Sequence, residues 1–172
     1  NFVEKALNSI LNQNYFHFEV IISDDGSTDD TLKILEKFKI KFLKKNIEFK
    51  IIQNIHKGPG AARNEAIKVS KYDWLAFIDS DDFWEKNKLN IVSQLAEKYT
   101  NINCILHRQY FKSKKGKIKL HNYDKYFNPN KKVFNQLFKS NFIAMSSIVI
   151  KKQLILKYDG FDESLQNAQD YD

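Results

Sequence analysis

From Phe2 to Tyr99, helical stripes and short apolar runs take turns along the chain, and that alternation is the strongest constraint on its fold. Phe2, Val3, Ala6, Leu7, Ile10 and Leu11 recur at helical spacing over 2–13, as do Leu32, Leu35, Phe38 and Phe42 within 28–45. Residues 61–69 and a stretch from about Glu85 to Tyr99 read as two further helices. Between them lie three strand-like runs, 18–23, 49–53 and Trp74-Leu75-Ala76-Phe77-Ile78. Strands separated by helices need crossover connections, which make the strands parallel and put helices on both faces. The expected fold is therefore α/β, a mostly parallel sheet in one domain over 1–172. With 42% hydrophobic and 14% aromatic residues, the chain has the material for a single packed core.

Each strand runs into a polar signal. Trp74–Ile78 contains no Gly or Pro, reads as a strand buried on both faces, and ends in Asp79-Ser80-Asp81-Asp82. Three carboxylates within four residues raise one another's pKa unless a cation or hydroxyl donors share the space. Magnesium or manganese suits such a place, taking one or two carboxylates and completing its shell with substrate phosphates. The plainer account is a strand-to-helix turn, with Ser80, Asp81 or Asp82 capping a helix that starts near Glu85. The first strand ends in Asp24-Asp25-Gly26-Ser27, for which the plainer account is a turn followed by the capping box Ser27-Thr28-Asp29-Asp30. The middle strand leads to Lys57-Gly58-Pro59-Gly60 and then Arg63, either a solvated helix residue or a phosphate-facing guanidinium. Ligands of open α/β sheets bind beyond the carboxyl ends of the strands. Acids, flexible backbone and an arginine at three corresponding ends suit a nucleotide diphosphate held through a divalent cation.

The second half is less regular. Residues 102–111 are β-forming, Lys114-Lys115-Gly116-Lys117 is a turn, 123–130 an aromatic loop, 132–139 a helix and 143–150 a strand. A short helix over 153–158 closes at Gly160. Lys and Arg number 28 against 21 Asp and Glu, a net charge of +7, with local runs at Lys44-Lys45, Lys114-Lys115 and Lys131-Lys132. Such a charge gives a soluble, lysine-coated surface, or one weakly drawn to anionic lipid or an anionic substrate. Nucleic acid is not an expected partner, because no recognised binding motif accompanies the charge. Cys104, the one cysteine, excludes an intrachain disulfide and is assigned to the core. The four histidines have no metal-ligand spacing, and no apolar run is long enough to span a bilayer. The opening at Asn1-Phe2 and the stop at Tyr171-Asp172 lead us to expect a piece of a longer protein, cut at both ends.

Three segments carry a resemblance. Asp24-Asp25-Gly26-Ser27-Thr28-Asp29, Gly58-Pro59-Gly60-Ala61-Ala62-Arg63-Asn64 and Phe77-Ile78-Asp79-Ser80-Asp81-Asp82 resemble the successive signatures of family 2 glycosyltransferases of the GT-A fold. Phe161-Asp162-Glu163 with Gln169-Asp170 is similar to that family's later acceptor-side motif, its first acid replaced by Gln169. The resemblance covers nearly the whole chain, although the family's first strand, with its Pro and Tyr-Asn turn, would precede residue 1.

The resemblance implies a GT-A nucleotide-binding sandwich, with 1–100 as the nucleotide-sugar half and 101–172 as the acceptor side. It implies that Asp25 or Asp24 contacts the base (uracil, as usual in the family), Asp79 the ribose, and Arg63 the nucleotide side. Asp81 would ligate Mn2+ or Mg2+ through the Asp-X-Asp pattern, and Asp170 would be the general base. The implied reaction is an inverting hexosyl transfer from a UDP-linked donor to a hydroxyl of a glycan, glycolipid or glycoprotein in bacterial cell-surface polysaccharide synthesis. A cytoplasmic protein, peripheral at the inner face of the membrane, would suit that role. Three rivals share parts of the pattern. A phosphoacceptor receiver domain also gathers aspartates and Mg2+, but leaves the Arg63 segment and Asp170 unexplained. A sugar-nucleotide pyrophosphorylase would need a Gly-rich N-terminal loop bearing Arg or Lys. A catalytically silent nucleotide-binding fragment would bind donor and never turn over.

Overall fold

Ala6, Leu7 and Ile10 turn one face of helix α1 (Phe2–Leu11) inward, and Thr31, Leu35, Phe38 and Phe42 do the same for α2 (Thr31–Leu43). Both stripes have the i, i+3/i+4 spacing of an amphipathic helix against a core. They meet strands β1 (Glu19–Asp24) and β2 (Glu48–Gln53) in one apolar cluster that includes Val20, Ile47 and Phe49. The Phe42 and Phe49 rings stack at 5.1 Å. The computed structural model describes residues 2–113, 115–121 and 125–165.

The strands β1 and β2 run parallel, pairing Glu19 with Glu48 through to Asp24 with Gln53. Helix α3 (Pro59–Val69) follows β2, and β3 (Trp74–Ala76) follows α3. Helix α4 (Lys88–Lys98), β4 (Cys104–Leu106), the hairpin β5 (Gln109–Lys112) and β6 (Ile118–His121), α5 (Val133–Lys139), β7 (Ile148–Lys151) and α6 (Lys152–Lys157) complete the order.

The α/β class holds, but the mostly parallel sheet does not extend past the first pair. Among the described residues the parallel ladder is β1–β2, while β7 lies between β3 and β4 and is antiparallel to both. The return of β7 from the second half of the chain fills the place beside β3, and local sequence pattern carries no trace of so distant a partner. Nor is β3 buried on both faces, since Trp74, Leu75 and Ala76 are each half-buried. Cys104 is exposed, not in the core, because the alternation along β4 turns Ile105 inward.

Two helix starts also differ. Helix α2 begins at Thr31, not 28, and the capping box does not form: Ser27 is engaged with Asp24, while Asp29 Oδ1 accepts from the Thr31 amide. Helix α4 begins at Lys88, because the segment ahead of it is strapped to α1. The Trp84 amide donates to Ser9 Oγ, the Gln13 amide group donates to the Glu85 carbonyl, and Gln13 Oε1 accepts from the Leu89 amide. Asp79–Asp82 is therefore a loop after β3 and caps no helix. No described helix is long and apolar enough to cross a membrane.

Candidate functional site

The acids at the ends of β1 and β3 are brought together around α3. Gly58 precedes that helix with φ +97°, a left-handed conformation suited to glycine, and Pro59 opens it where a missing N–H costs nothing. Asp25, just past β1, accepts from the Lys57 and Gly58 amides at 2.8 and 2.9 Å, a negative charge at the positive end of the helix. His56 Nδ1 stands 2.8 Å from the same carboxylate.

Asp24 is buried and holds the turn itself, accepting from the Ser27 amide at 3.1 Å and from Ser27 Oγ. Its carbonyl accepts from the Asn54 amide, which keeps β1 and β2 aligned to their last residues. Of the two acids proposed for the base, Asp25 is the one with an accessible edge.

One turn into α3, Arg63 Nη2 donates to Asp79 Oδ1 at 3.0 Å. The Arg63 guanidinium lies 5.6 Å from the ring centre of Phe161, which meets Phe77 edge-on at 5.8 Å. Arg63 Nη1 is shut from solvent and makes no hydrogen bond within the protein, an unsatisfied donor of the kind that costs about 1–3 kcal/mol. Arg63 is therefore not a solvated helix residue.

Asp79 also donates its amide to Ser146 Oγ at 2.9 Å, and its carbonyl accepts from the Asp82 amide. Behind this loop Lys88 is buried, with its ammonium 3.9 Å above the Trp84 ring and donating to the Ser146 carbonyl at 2.9 Å. Burial pushes its pKa down to about 7, with the charge of Asp82 opposing that fall.

Asp81 is exposed and enters no hydrogen bond or ion pair among the described residues. Among the described residues no three His, Cys, Asp or Glu converge so as to hold a cation unaided. A single free carboxylate beside Asp79 fits magnesium or manganese only with diphosphate and water completing the shell, the usual way these ions are held at phosphate sites.

The residue after Arg63 reaches the other half of the chain. Asn64 Nδ2 donates to the Phe161 carbonyl at 2.8 Å and to Glu163 Oε1 at 2.9 Å, and Asn64 Oδ1 accepts from the Phe161 amide. Gly160 has φ +84°, and a Cβ there would lie 2.6 Å from Asn64 Oδ1. The Phe161-Asp162-Glu163 motif is thus clasped to α3, while Gln169 and Asp170 lie outside the described residues.

Arg63 pairs with Asp79, and Asp25 caps the helix that carries Arg63, whereas Asp24 is committed to its own turn. Asn64, Lys88, Ser146 and His56 were missed as supports. Asn64 stood inside the quoted Gly58–Asn64 motif and could have been found there, whereas nothing in the local pattern marks Lys88 for burial. Two clefts lie elsewhere, one of about 310 Å³ lined by Phe111, His121 and Phe142, the other of about 930 Å³ lined by Lys125, Lys131 and Tyr126.

The model of the family described as glycosyl transferase family 2 matches residues 1–157. An uncharacterized glycosyltransferase of Rickettsia felis is 32% identical over 171 residues, 99% of this chain and 27% of that protein. The Escherichia coli UDP-Glc:alpha-D-GlcNAc-diphosphoundecaprenol beta-1,3-glucosyltransferase WfaP is 42% identical over 85 residues, 49% of this chain and 32% of its own. Among solved structures, TarS 1–349 of Staphylococcus aureus in complex with UDP superposes with a TM-score of 0.77 at 25% identity, covering 98% of this chain and 48% of that one. The same fragment with UDP-GlcNAc gives the same score. The chain spans roughly a quarter to a half of the length of these proteins.

Proposed function

Because this chain belongs to glycosyl transferase family 2, with the GT-A fold, we propose that its protein moves a hexosyl group from a UDP-linked sugar to a hydroxyl acceptor with inversion, in cell-surface glycan synthesis. Family membership removes the receiver and pyrophosphorylase readings. The observation that carries the proposal is the Arg63–Asp79 pair, which ties α3, whose N-terminus Asp25 caps, to the loop that bears Asp81. The UDP and UDP-GlcNAc complexes of TarS support a uridine nucleotide as donor, and the name of WfaP supports a membrane-borne acceptor.

In this reading residues 1–100 form the donor half and 101–172 the acceptor side. Asp25 takes the base and Asp79 the ribose. Arg63, held by Asp79, stands on the nucleotide side. Asp81 holds Mn2+ or Mg2+. When bound, that ion offsets charge on the leaving diphosphate. Asp170 takes the proton of the attacking hydroxyl, a step in which a positioned base contributes roughly 10²–10⁴-fold. A cytoplasmic position against the inner face of the membrane fits an acceptor of this kind.

The test is a screen of nucleotide sugars against the full-length protein, read by release of nucleoside diphosphate. UDP released from one or a few UDP-sugars in the presence of acceptor supports the reading. Nucleotide binding with no turnover on any donor marks a silent binding protein instead.

A further inference from the structure

The charge of this chain is not spread evenly. Residues 108–157 hold thirteen of its 28 Lys and Arg and a single acid, Asp124, whereas residues 1–107 carry fifteen bases and fifteen acids. Residues 108–157 are therefore a strongly basic stretch, net +12 from thirteen bases and one acid, while 1–107 balance. That region contains the β5–β6 hairpin and α5.

Register fixes which way the hairpin faces. Tyr110 pairs with Leu120 and Lys112 with Ile118, so strand alternation puts these four side chains on one side. Phe111 and His121 are on the other side, ring against ring at 5.2 Å, and His121 continues to Tyr126 at 5.8 Å and so to Phe142. That second side is the one turned to the protein. The first is left outward, with Tyr110 61% and Ile118 67% exposed. On α5, Phe134 and Phe138 stand one turn apart, stack at 6.2 Å, and remain 74% and 78% exposed. The Gln136 side chain bonds both the amide and the carbonyl of Asn128, which keeps α5 on the loop that carries Tyr126.

We propose that the outward face of the β5–β6 hairpin, together with the exposed rings of α5, docks this protein on an anionic lipid bilayer. The proposal rests on the peripheral placement given above, but uses a surface outside the donor site. Exposed aromatic and branched side chains enter the headgroup boundary, while lysines on a neighbouring rim meet anionic headgroups. Lys112, Lys115 and Lys117 stand at the hairpin tip, and Lys131, Lys132 and Lys139 flank α5. Single-stranded nucleic acid also seeks bases and rings, yet it gains nothing from Ile118, Leu120 or Val133, and a phosphate-reading surface draws on arginine, of which this region has only Arg108. Lysine with aliphatic side chains favours lipid.

The test is co-sedimentation of the full-length protein with vesicles of phosphatidylcholine alone or mixed with phosphatidylglycerol, with UDP binding measured in parallel. Binding only to the mixed vesicles, weakened by salt, is expected. Each lysine near such a surface contributes roughly five-fold, so Lys112→Gln, Lys115→Gln and Lys117→Gln combined should weaken binding about a hundred-fold. Ile118→Ser with Phe138→Ser should weaken it about ten-fold or more. Lys33→Gln, Lys37→Gln and Lys44→Gln combined, at exposed positions on and just after α2, should change little.

Equal loss from both lysine triples would reduce the effect to net charge and overturn the proposal. So would unchanged binding by the Ile118/Phe138 variant, or equal binding to neutral vesicles. A full-length protein that ignores both kinds of vesicle would also overturn the proposal. Retention on a single-stranded oligonucleotide without vesicle binding would make the face a nucleic-acid surface and overturn it. None of the variants touches Asp25, Arg63, Asp79 or Asp81. UDP binding is therefore expected at the parental level, and each reading can fail without the other.

Discussion

Arg63 Nη2 and Asp79 Oδ1 stand 3.0 Å apart, so the helix that follows β2 is fastened by a charge pair to the loop that follows β3. Both groups are also the proposed nucleotide contacts, and the pair holds the two side chains at a set separation.

Removing either member should therefore reach the ligand without unfolding the chain. Arg63→Ala and Asp79→Ala are each expected to weaken UDP affinity ten-fold or more, the equivalent of one hydrogen bond to a charged group at about 1.5–3 kcal/mol. The double variant should lose less than the two losses multiplied, because one change already breaks the pair. Calorimetry checks this, and parental affinity in both single variants would leave the pair as scaffolding alone.

Asp81 is exposed and has no partner among the described residues, so Asp81→Asn should leave the melting temperature within a degree or two of the parent, surface changes of this kind being within about 0.5 kcal/mol. Its effect should fall on the metal. Parental protein is expected to bind UDP more tightly with Mn2+ than with EDTA, and the variant to lose most of that difference. Equal affinity with Mn2+ and with EDTA in the parent would remove Asp81 from metal binding.

Lys88 sets a pH dependence of stability. Its folded pKa lies near 7, below the ordinary lysine value of 10.5, because burial disfavours the ammonium. Below pH 7 both states carry the proton, and this residue gives no slope. Between about pH 7 and 10.5 the unfolded chain holds the proton and the folded one does not, so stability rises with pH, by at most about 1.4 kcal/mol per unit. Urea unfolding from pH 6 to 9 should show the rise in the parent and its loss in Lys88→Met. Parallel curves would mean that the ammonium is solvated in the folded protein.

The clasp between Asn64 and Phe161 predicts a local loss. Asn64→Ala leaves the Phe161 amide and carbonyl without partners, at a cost of about 1–3 kcal/mol. Gly160→Ala should also destabilise, since a left-handed backbone and an oxygen 2.6 Å from the new methyl oppose it. Amide exchange should quicken at 160–163 in both variants and stay unchanged at β1 and β2. Exchange rates at 160–163 that match the parent's would rule the clasp out.

Asp170→Asn in the full-length enzyme should abolish transfer and leave UDP affinity nearly intact, because an amide cannot take the acceptor's proton. Turnover and calorimetry read the two effects separately. A variant that keeps parental turnover would dismiss Asp170 as the base.

What could be read from the sequence divides along the range of the forces involved. The stripes of α1 and α2 and the paired runs of β1 and β2 were legible because burial repeats at 3.6 or 2 residues within one element. The β7 strand beside β3, and the late start of α4, were not, because Ser146, Gln13 and Ser9 act across 67 to 76 residues. The site followed the same division. Its acids announced themselves by clustering after apolar runs, but the commitment of Asp24 to Ser27, the guanidinium held by Asp79 and the buried Lys88 depend on neighbours that only folding supplies.

Arg63 and Asn64 are consecutive residues of α3, yet one grips Asp79 in the loop after β3 and the other the Phe161–Glu163 segment. The two halves are therefore not interchangeable parts. A chimera that takes residues 1–100 from a relative inherits a new α3, and its second half will seat only where that helix offers an amide opposite Phe161 and tolerates the bare backbone of Gly160. Specificity swapping between members should succeed when the crossover keeps α3 with the segment it clasps, and yield misassembled protein when it parts them.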